Sequence, residues 1–132
     1  MAQGTEYRRI FDLYKQHGVR IIFHSCGHIE PILDVLADLG VDILNPVQAS
    51  ANHLERLRAI TQGQMALQGA ISSDLLMTGP TEAIRAEVRR CIHLLGREGG
   101  YFCGPDQGLP FPPEHVQVLN QAIEEYGRYP LG

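Results

Sequence analysis

The sequence contains no long hydrophobic run and no concentration of basic residues. No apolar stretch approaches the roughly 20 residues that a helix needs to cross a bilayer. The amino terminus lacks the charged and apolar segments of a secretory signal. Lysine and arginine total 11 against 15 aspartates and glutamates, which gives a net charge of −4. No basic stripe interleaved with aromatic residues appears, so we expect a cytoplasmic protein that binds neither membranes nor nucleic acids.

Cysteine is also scarce. Three cysteines, an odd number at wide spacings, do not make a disulfide framework, and metal binding or simple burial suits them better. The 132 residues are enough for one ordinary domain. Because no linker or low-complexity segment divides the chain, we predict a single domain over residues 1–132.

What the chain does contain is a regular alternation of helical and strand patterns. Apolar and β-branched runs predict four strands, at residues 19–23, 41–46, 65–70 and 101–104. A helical pattern precedes the first strand and another follows each strand. Strands that alternate with helices at these lengths are typical of right-handed βαβ units and a parallel sheet.

Local signals mark some of the helix ends. Gly18 and Gly40 follow the first two helical patterns, as glycines at helix carboxyl ends do. Asn52, with Glu55 three residues later, resembles a capping box and predicts the start of the third helix.

Four βα units are half of a closed (β/α)8 barrel, which typically needs about 250 residues. The pattern therefore predicts either half of such a barrel, with the other half missing or supplied by a partner, or a small open α/β sandwich. A half-barrel exposes two sheet edges and an apolar inner face, so we expect it to self-associate as a homo-oligomer or to pair with a missing half.

The segment IIFHSCGH, residues 21–28, combines a strand pattern with reactive side chains. Side chains at i and i+2 of an extended chain point to the same side, so His24 and Cys26 can face one pocket. In parallel α/β proteins ligands bind at this carboxyl end of the strands. Imidazole and thiolate are half of a typical zinc site. The alternative is that the cysteine is a small buried apolar residue and that His24 bonds a backbone carbonyl.

Polar residues follow the other predicted strands as well. Because these positions collect substrate contacts in barrel enzymes, we expect a group of them to bind a small-molecule substrate, namely Asn45, Gln48, Ser72, Gln107 and His28. Asp74 is a candidate general base, or a partner that orients His24. Each of these residues could instead cap a helix, close a loop or face solvent.

Three blocks of the sequence, in order, resemble the carboxyl-terminal half of the uroporphyrinogen decarboxylase superfamily. The blocks are IIFHSCGHIEPILDVLADLGVDILNPVQ, then LQGAISS with GPTEAIRAEVRRCI, then GGYFCGPDQGLPFPPEHV, and the resemblance spans about residues 7–126. The superfamily includes the decarboxylase of haem biosynthesis and cobalamin-dependent methyltransferases, and its fold is a (β/α)8 barrel. The resemblance implies that this chain forms the last four βα units.

Within the superfamily, His24-x-Cys26 resembles the methyltransferase branch, where these residues bind zinc and a second cysteine near the last strand completes the protein ligands. Alignment on Gly108 places Gln107 at that position, and Cys103 lies four residues earlier. Cys103 is then the expected third ligand, provided that the loop is rearranged. The resemblance thus implies zinc as a cofactor and a corrinoid, or a corrinoid protein, as a partner.

Three functions are consistent with the sequence. The first is zinc-dependent methyl transfer from a corrinoid or methoxylated substrate to a thiol-type acceptor, which His24-x-Cys26 favours. The second is decarboxylation of a porphyrinogen, whose key groups would lie in the amino-terminal half. The third is an inactive fragment or a subunit that completes a barrel with a partner, which the length of the chain favours.

Overall fold

The fold is a four-stranded parallel sheet with helices on one face. The computed structural model describes the backbone of residues 2–132 and the side chains of residues 6–132. The strands lie in the order β1-β2-β3-β4 and are all parallel. Their bounds are β1 (Ile22–His24), β2 (Ile43–Val47), β3 (Ala66–Ile71) and β4 (Tyr101–Pro105). The helices of the described part are α1 (Ala2–Gln16), α2 (Leu33–Leu39), α3 (Leu54–Thr61), α4 (Ser73–Thr78), α5 (Thr81–Leu95) and α6 (Pro113–Tyr126).

The alternation and the parallel sheet predicted from the sequence are confirmed, and the arrangement is that of half a (β/α)8 barrel. Two details differ from the predictions. Strand β1 runs from Ile22 to His24, so His24 belongs to the strand instead of following it. A short helix, α4, directly follows β3 and was not predicted from the sequence. No helix among residues 2–132 is long and apolar enough to cross a membrane.

The helix-covered face of the sheet carries the hydrophobic core. Leu44 of β2 and Leu67 of β3 are fully buried beneath the helices. Helix α5 buries one stripe of residues at helical spacing, Ile84, Val88, Cys91, Ile92 and Leu95. Burying a side chain of the size of leucine contributes roughly 1.5–3 kcal/mol, so this layer holds the strands together.

The other face of the sheet is not covered by any described part of the chain. Strand side chains alternate between faces, and the residues that alternate with the buried ones are exposed on β1 and β4 and half-buried on β2 and β3. Ile22 of β1 is 59% exposed and Phe102 of β4 is 53% exposed. We call this surface the open face. In a closed barrel it would be the interior, where side chains from other strands would pack against it.

The helix end predicted at Gly40 is present in the structure, but the helix start predicted at Asn52 is not. Gly40 ends α2 in the left-handed conformation, with φ 90°, and its N–H donates to Ala37 O, which confirms the predicted helix end. The predicted capping box at Asn52 is wrong, because His53 occupies the N-cap position of α3 and makes no side-chain capping bond. The Asn52 amide is engaged elsewhere, in the loops described next.

Candidate functional site

His24 lies at the carboxyl end of β1, directly opposite Asn45 of β2. Its Nδ1 is 2.9 Å from Asn45 Oδ1. The strand pairing continues one residue further, since Ser25 N donates to Asn45 O at 2.9 Å. Among the residues described, no hydrogen-bond partner faces His24 Nε2. The imidazole is therefore exposed on the open face, with one nitrogen held and the other available.

Cys26 lies just beyond β1 with an exposed, free thiol. The chain turns sharply after it, because Gly27 has φ +86°, a conformation that a residue with a side chain adopts only with strain. The Gly27 N–H donates to Gln48 Oε1 at 2.5 Å. Gln48, expected from the sequence to bind substrate, thus holds the turn that carries Cys26.

Asn52 joins the loop after β1 to the loop after β2. Its Nδ2 donates to Gly27 O and to Gln48 O, both at 2.9 Å. Its Oδ1 accepts from Ile29 N at 2.9 Å. The Asn52 side chain thus donates two hydrogen bonds and accepts one, and it acts as a clamp on the segment that follows Cys26.

Two more contacts tie the same loops together. His28 Nδ1 lies 2.9 Å from Ala51 O, which makes the imidazole a donor to the second loop. The Glu30 carboxylate accepts from His53 N at 2.6 Å. His28, another expected substrate contact, is exposed and serves here to hold the loops together. His24 and Ser25 are consequently held by Asn45 of β2, and residues 27–30, which follow Cys26, are held by the loop after β2.

The end of β3 is organised by Ser72 and Asp106. Ser72 is the N-cap of α4, and its hydroxyl oxygen accepts from Leu75 N at 3.4 Å. Asp106, only 6% exposed, accepts from Ser73 N at 3.1 Å and donates its own N–H to Ile71 O at 2.9 Å. Ser72 therefore caps a helix, and Asp106 holds the loops after β3 and β4 together.

Asp74 and Gln107 make no side-chain hydrogen bond within the described residues. Asp74 is exposed on α4, where its backbone carbonyl accepts from Thr78. Gln107 is exposed beyond β4. The expectation that Asp74 orients His24 is corrected, since the partner of the imidazole is Asn45.

Cys103 lies on the opposite face of the sheet from His24. Cys103 pairs in register with Gly69 of β3. It directly follows Phe102, whose side chain is on the open face. Alternation turns the Cys103 thiol toward the helices, near Tyr101 and Cys91. Burial there raises the pKa of Cys103 to about 11, so it is a neutral thiol at physiological pH.

The structure therefore does not bring the expected third metal ligand to the other two. Over residues 2–132, no three histidine, cysteine, aspartate or glutamate side chains come together to hold a metal ion. His24 and Cys26 remain a nitrogen and a sulfur donor of the kind that zinc prefers. They fit two of the three protein positions of a catalytic zinc site, and Cys103 does not fit the third in this arrangement.

Sequence reasoning named His24 and Cys26, and it also named Asn45, Gln48 and Asn52, but it did not predict that these three residues support the segment around the pair. The pattern Asn52-x-x-Glu55 looks the same whether the asparagine caps a helix or clamps a neighbouring loop. The role of Asp106 depends on contact between two loops that are 33 residues apart in the chain. No local signal in the sequence reports such contacts.

Comparisons with known proteins identify the family of this chain. Residues 4–126 match the family model of uroporphyrinogen decarboxylase (URO-D). The chain is 35% identical over 98 residues to the uroporphyrinogen decarboxylase of Burkholderia mallei (strain SAVP1), which covers 73% of this chain and 26% of the relative. It is 32% identical over 147 residues to that of Acidovorax sp. (strain JS42), covering 95% of this chain and 38% of the relative.

A solved structure shares the fold. A methyltransferase from Methanosarcina mazei superposes with a TM-score of 0.73 at 26% identity, over 92% of this chain and 36% of that chain. The chain thus spans between a quarter and two fifths of the length of these relatives. From the family match and the shared fold together, the chain belongs to the uroporphyrinogen decarboxylase family.

Proposed function

We propose that this chain forms the carboxyl-terminal half of a barrel that catalyses zinc-dependent methyl transfer from a corrinoid or methoxylated donor to a thiol-type acceptor. The observation that carries the proposal is the placement of His24 and Cys26. Both side chains are exposed at the carboxyl end of β1, and the imidazole is held by Asn45. The structural neighbour from Methanosarcina mazei, named a methyltransferase, supports the same reading.

Two residues of this chain would serve as ligands of the metal. When bound, zinc would hold the acceptor thiol as a thiolate, the form of sulfur that attacks a methyl group. His24 Nε2 and Cys26 Sγ would supply two protein ligands, and a catalytic zinc site uses three. We assign the third to the part of the barrel that this chain does not span, because Cys103 is turned away.

Cobalt(II) titration tests the metal and the thiol together, because cobalt replaces zinc and its thiolate complexes absorb light. In the full-length protein, which would supply the third ligand, we expect one site per molecule, with a sulfur-to-cobalt charge-transfer band from Cys26. Addition of 2-mercaptoethanol should strengthen the band as a second thiolate binds. The proposal is wrong if cobalt binds without a charge-transfer band, or if the band does not respond to the thiol. Exposed His17, which lies outside the site, provides a matched control as His17→Ala.

A second candidate is the decarboxylation of a porphyrinogen. The observation that favours it is the 32–35% identity to bacterial proteins named uroporphyrinogen decarboxylases. Carboxyl loss from a porphyrinogen, followed by chromatography with the full-length protein, distinguishes the two. Turnover that is unchanged after metal removal and in His24→Ala would favour decarboxylation over methyl transfer.

We further propose that the open face is covered by the amino-terminal half of a barrel, not by a second copy of this chain. In a barrel each strand is followed by one helix of the outer ring. Here α1 already lies beside β1, with the Tyr7 and Phe23 ring centroids 6.4 Å apart. Helix α6 packs on α5 beyond β4. If two copies closed on each other, α6 of one copy and α1 of the other would both occupy the single helix position between β4 and the next β1. An amino-terminal half that ends in a strand leaves that position free for α1.

Sedimentation of the isolated chain tests this proposal. We expect concentration-dependent association without a discrete dimer, because the open face exposes apolar side chains such as Ile22 and Phe102 but two copies cannot close. Replacing Ile22 and Phe102 with serine should reduce the association, since these side chains are about half exposed and lie on the open face. A tight dimer of defined mass would show instead that a second copy completes the barrel.

A further inference from the structure

We infer that α1 carries a second docking surface for the amino-terminal half, distinct from the open face, and that a helix of that half packs there. The assignment rests on the barrel proposed above for its occupant. Ile10 is 48% exposed and Leu13 is 54% exposed. Because residues i and i+3 share a face of a helix, the two side chains form one apolar strip. We call this strip the α1 flank.

The α1 flank points away from the neighbouring helix of this chain. Helix α1 packs on α2, and Arg8 forms an ion pair with Asp38 of α2. Successive residues of a helix are roughly 100° apart around its axis, which places Ile10 and Leu13 opposite Arg8. Helix α1 therefore has a neighbour on one side and an exposed apolar strip on the other.

The α1 flank lies where a ring of helices would continue. The helices of a (β/α)8 barrel form a closed outer ring, so each one packs between two others. In the described part of the chain, α2 contacts α1 and α3, and α5 contacts α3 and α6. By the same geometry, the α1 flank would take the helix that precedes α1 in the ring. The amino-terminal half would supply it, since this chain spans 26% and 38% of the length of two relatives.

The chemistry of the α1 flank indicates an amphipathic helix as its partner. The polar residues that rim the apolar pair are Glu6, Arg9, Asp12 and Gln16. An apolar centre with a polar rim is typical of protein interfaces. A helix with apolar side chains at i and i+3 or i+4 would interdigitate with Ile10 and Leu13. The end helix of a second copy, α6, does not match, because its exposed residues are polar apart from Pro113.

Thiol labelling of the full-length protein tests this inference. Exposed cysteines, including Cys26, are first replaced by serine, and Leu13→Cys is then introduced. Val35, an apolar residue of α2 that is 43% exposed, provides the matched control as Val35→Cys. We expect Leu13→Cys to react about tenfold more slowly than Val35→Cys in the folded protein, because a covered thiol reacts only when its cover opens. The two thiols should react alike in urea. Ile10→Cys repeats the test if Leu13→Cys does not fold.

Labelling of Ile22→Cys, on the open face, separates this inference from the barrel proposal. Protection of both Leu13→Cys and Ile22→Cys supports the inference. If Ile22→Cys is protected but Leu13→Cys reacts as fast as the control, the inference is overturned and the barrel proposal stands. If both react as fast as the control, both proposals fail. Protection of Leu13→Cys that disappears on dilution would identify a second copy as the occupant and would also overturn the inference.

Discussion

Full-length protein in which His24 and Cys26 are both replaced by alanine is expected to contain no stoichiometric zinc, while the unsubstituted full-length protein retains it. The two side chains are exposed nitrogen and sulfur donors at the carboxyl end of β1, and removing them leaves no thiol there and only the His28 imidazole in the loop after β1. Because neither side chain is buried, the free energy of unfolding should change by less than about 1 kcal/mol. Metal content per chain, with urea denaturation alongside, measures both effects.

Cys103→Ala is the matched control for this experiment. It removes a thiol of the same chemistry from the helix-covered face of the sheet, so zinc content should stay unchanged. Some stability should be lost, about 1 kcal/mol, because the half-buried thiol packs against the core. Zinc that persists in the double variant would show that the site is assigned to the wrong residues. Zinc lost from a folded Cys103→Ala protein would show that this cysteine reaches the site.

The second large effect is expected at Arg58, where substitution by leucine should lower the free energy of unfolding by about 3 kcal/mol. Arg58 is 8% exposed, and no carboxylate of the described residues pairs with it. Its guanidinium donates to the carbonyls of Leu95 and Gly100 at 3.0 Å and of Met65 at 2.8 Å. It thus joins the end of α5 to the starts of β3 and β4.

The size of this effect follows from the Leu95 and Met65 carbonyls, which would lose their guanidinium donor in Arg58→Leu, whereas Gly100 O would still accept from Leu67 N at 2.9 Å. Each buried carbonyl left without a donor costs about 1–3 kcal/mol. The total falls below the sum, because burial already disfavours the charged guanidinium and lowers the pKa of Arg58. Urea denaturation at neutral pH measures the change, with exposed Arg56→Leu on the same helix as the control. A loss no larger than in the control would mean that the Leu95 and Met65 carbonyls find water or other donors.

The prediction from sequence succeeded where a feature depends on residues that are close together in the chain. The order of helices and strands follows from apolar periodicity, which the chain carries locally. The end of α2 at Gly40 needs only a residue that tolerates positive φ. The position of His24 and Cys26 at a strand end follows from an apolar run that stops at polar residues.

It failed where a feature depends on how distant segments meet. Cys103 sits near the predicted ligand position in the sequence, but one residue of register decides which face of β4 carries its thiol. Asn52 satisfies the pattern of a helix cap, and only the approach of the β1 loop turns it into a clamp. Asn45 reads as a substrate contact until β1 and β2 pair and place it beside His24.

The sequence by itself determined a parallel βα protein of the uroporphyrinogen decarboxylase family, with a histidine and a cysteine at the end of its first strand. Only the tertiary structure decided that His24 and Cys26 are exposed and that Asn45 and Gln48 hold the segment around them. It also decided that the Cys103 side chain lies on the other face of the sheet. The physical reason is that periodicity sets which residues are buried within one element. Strand register, by contrast, sets which side chains of different elements share a face.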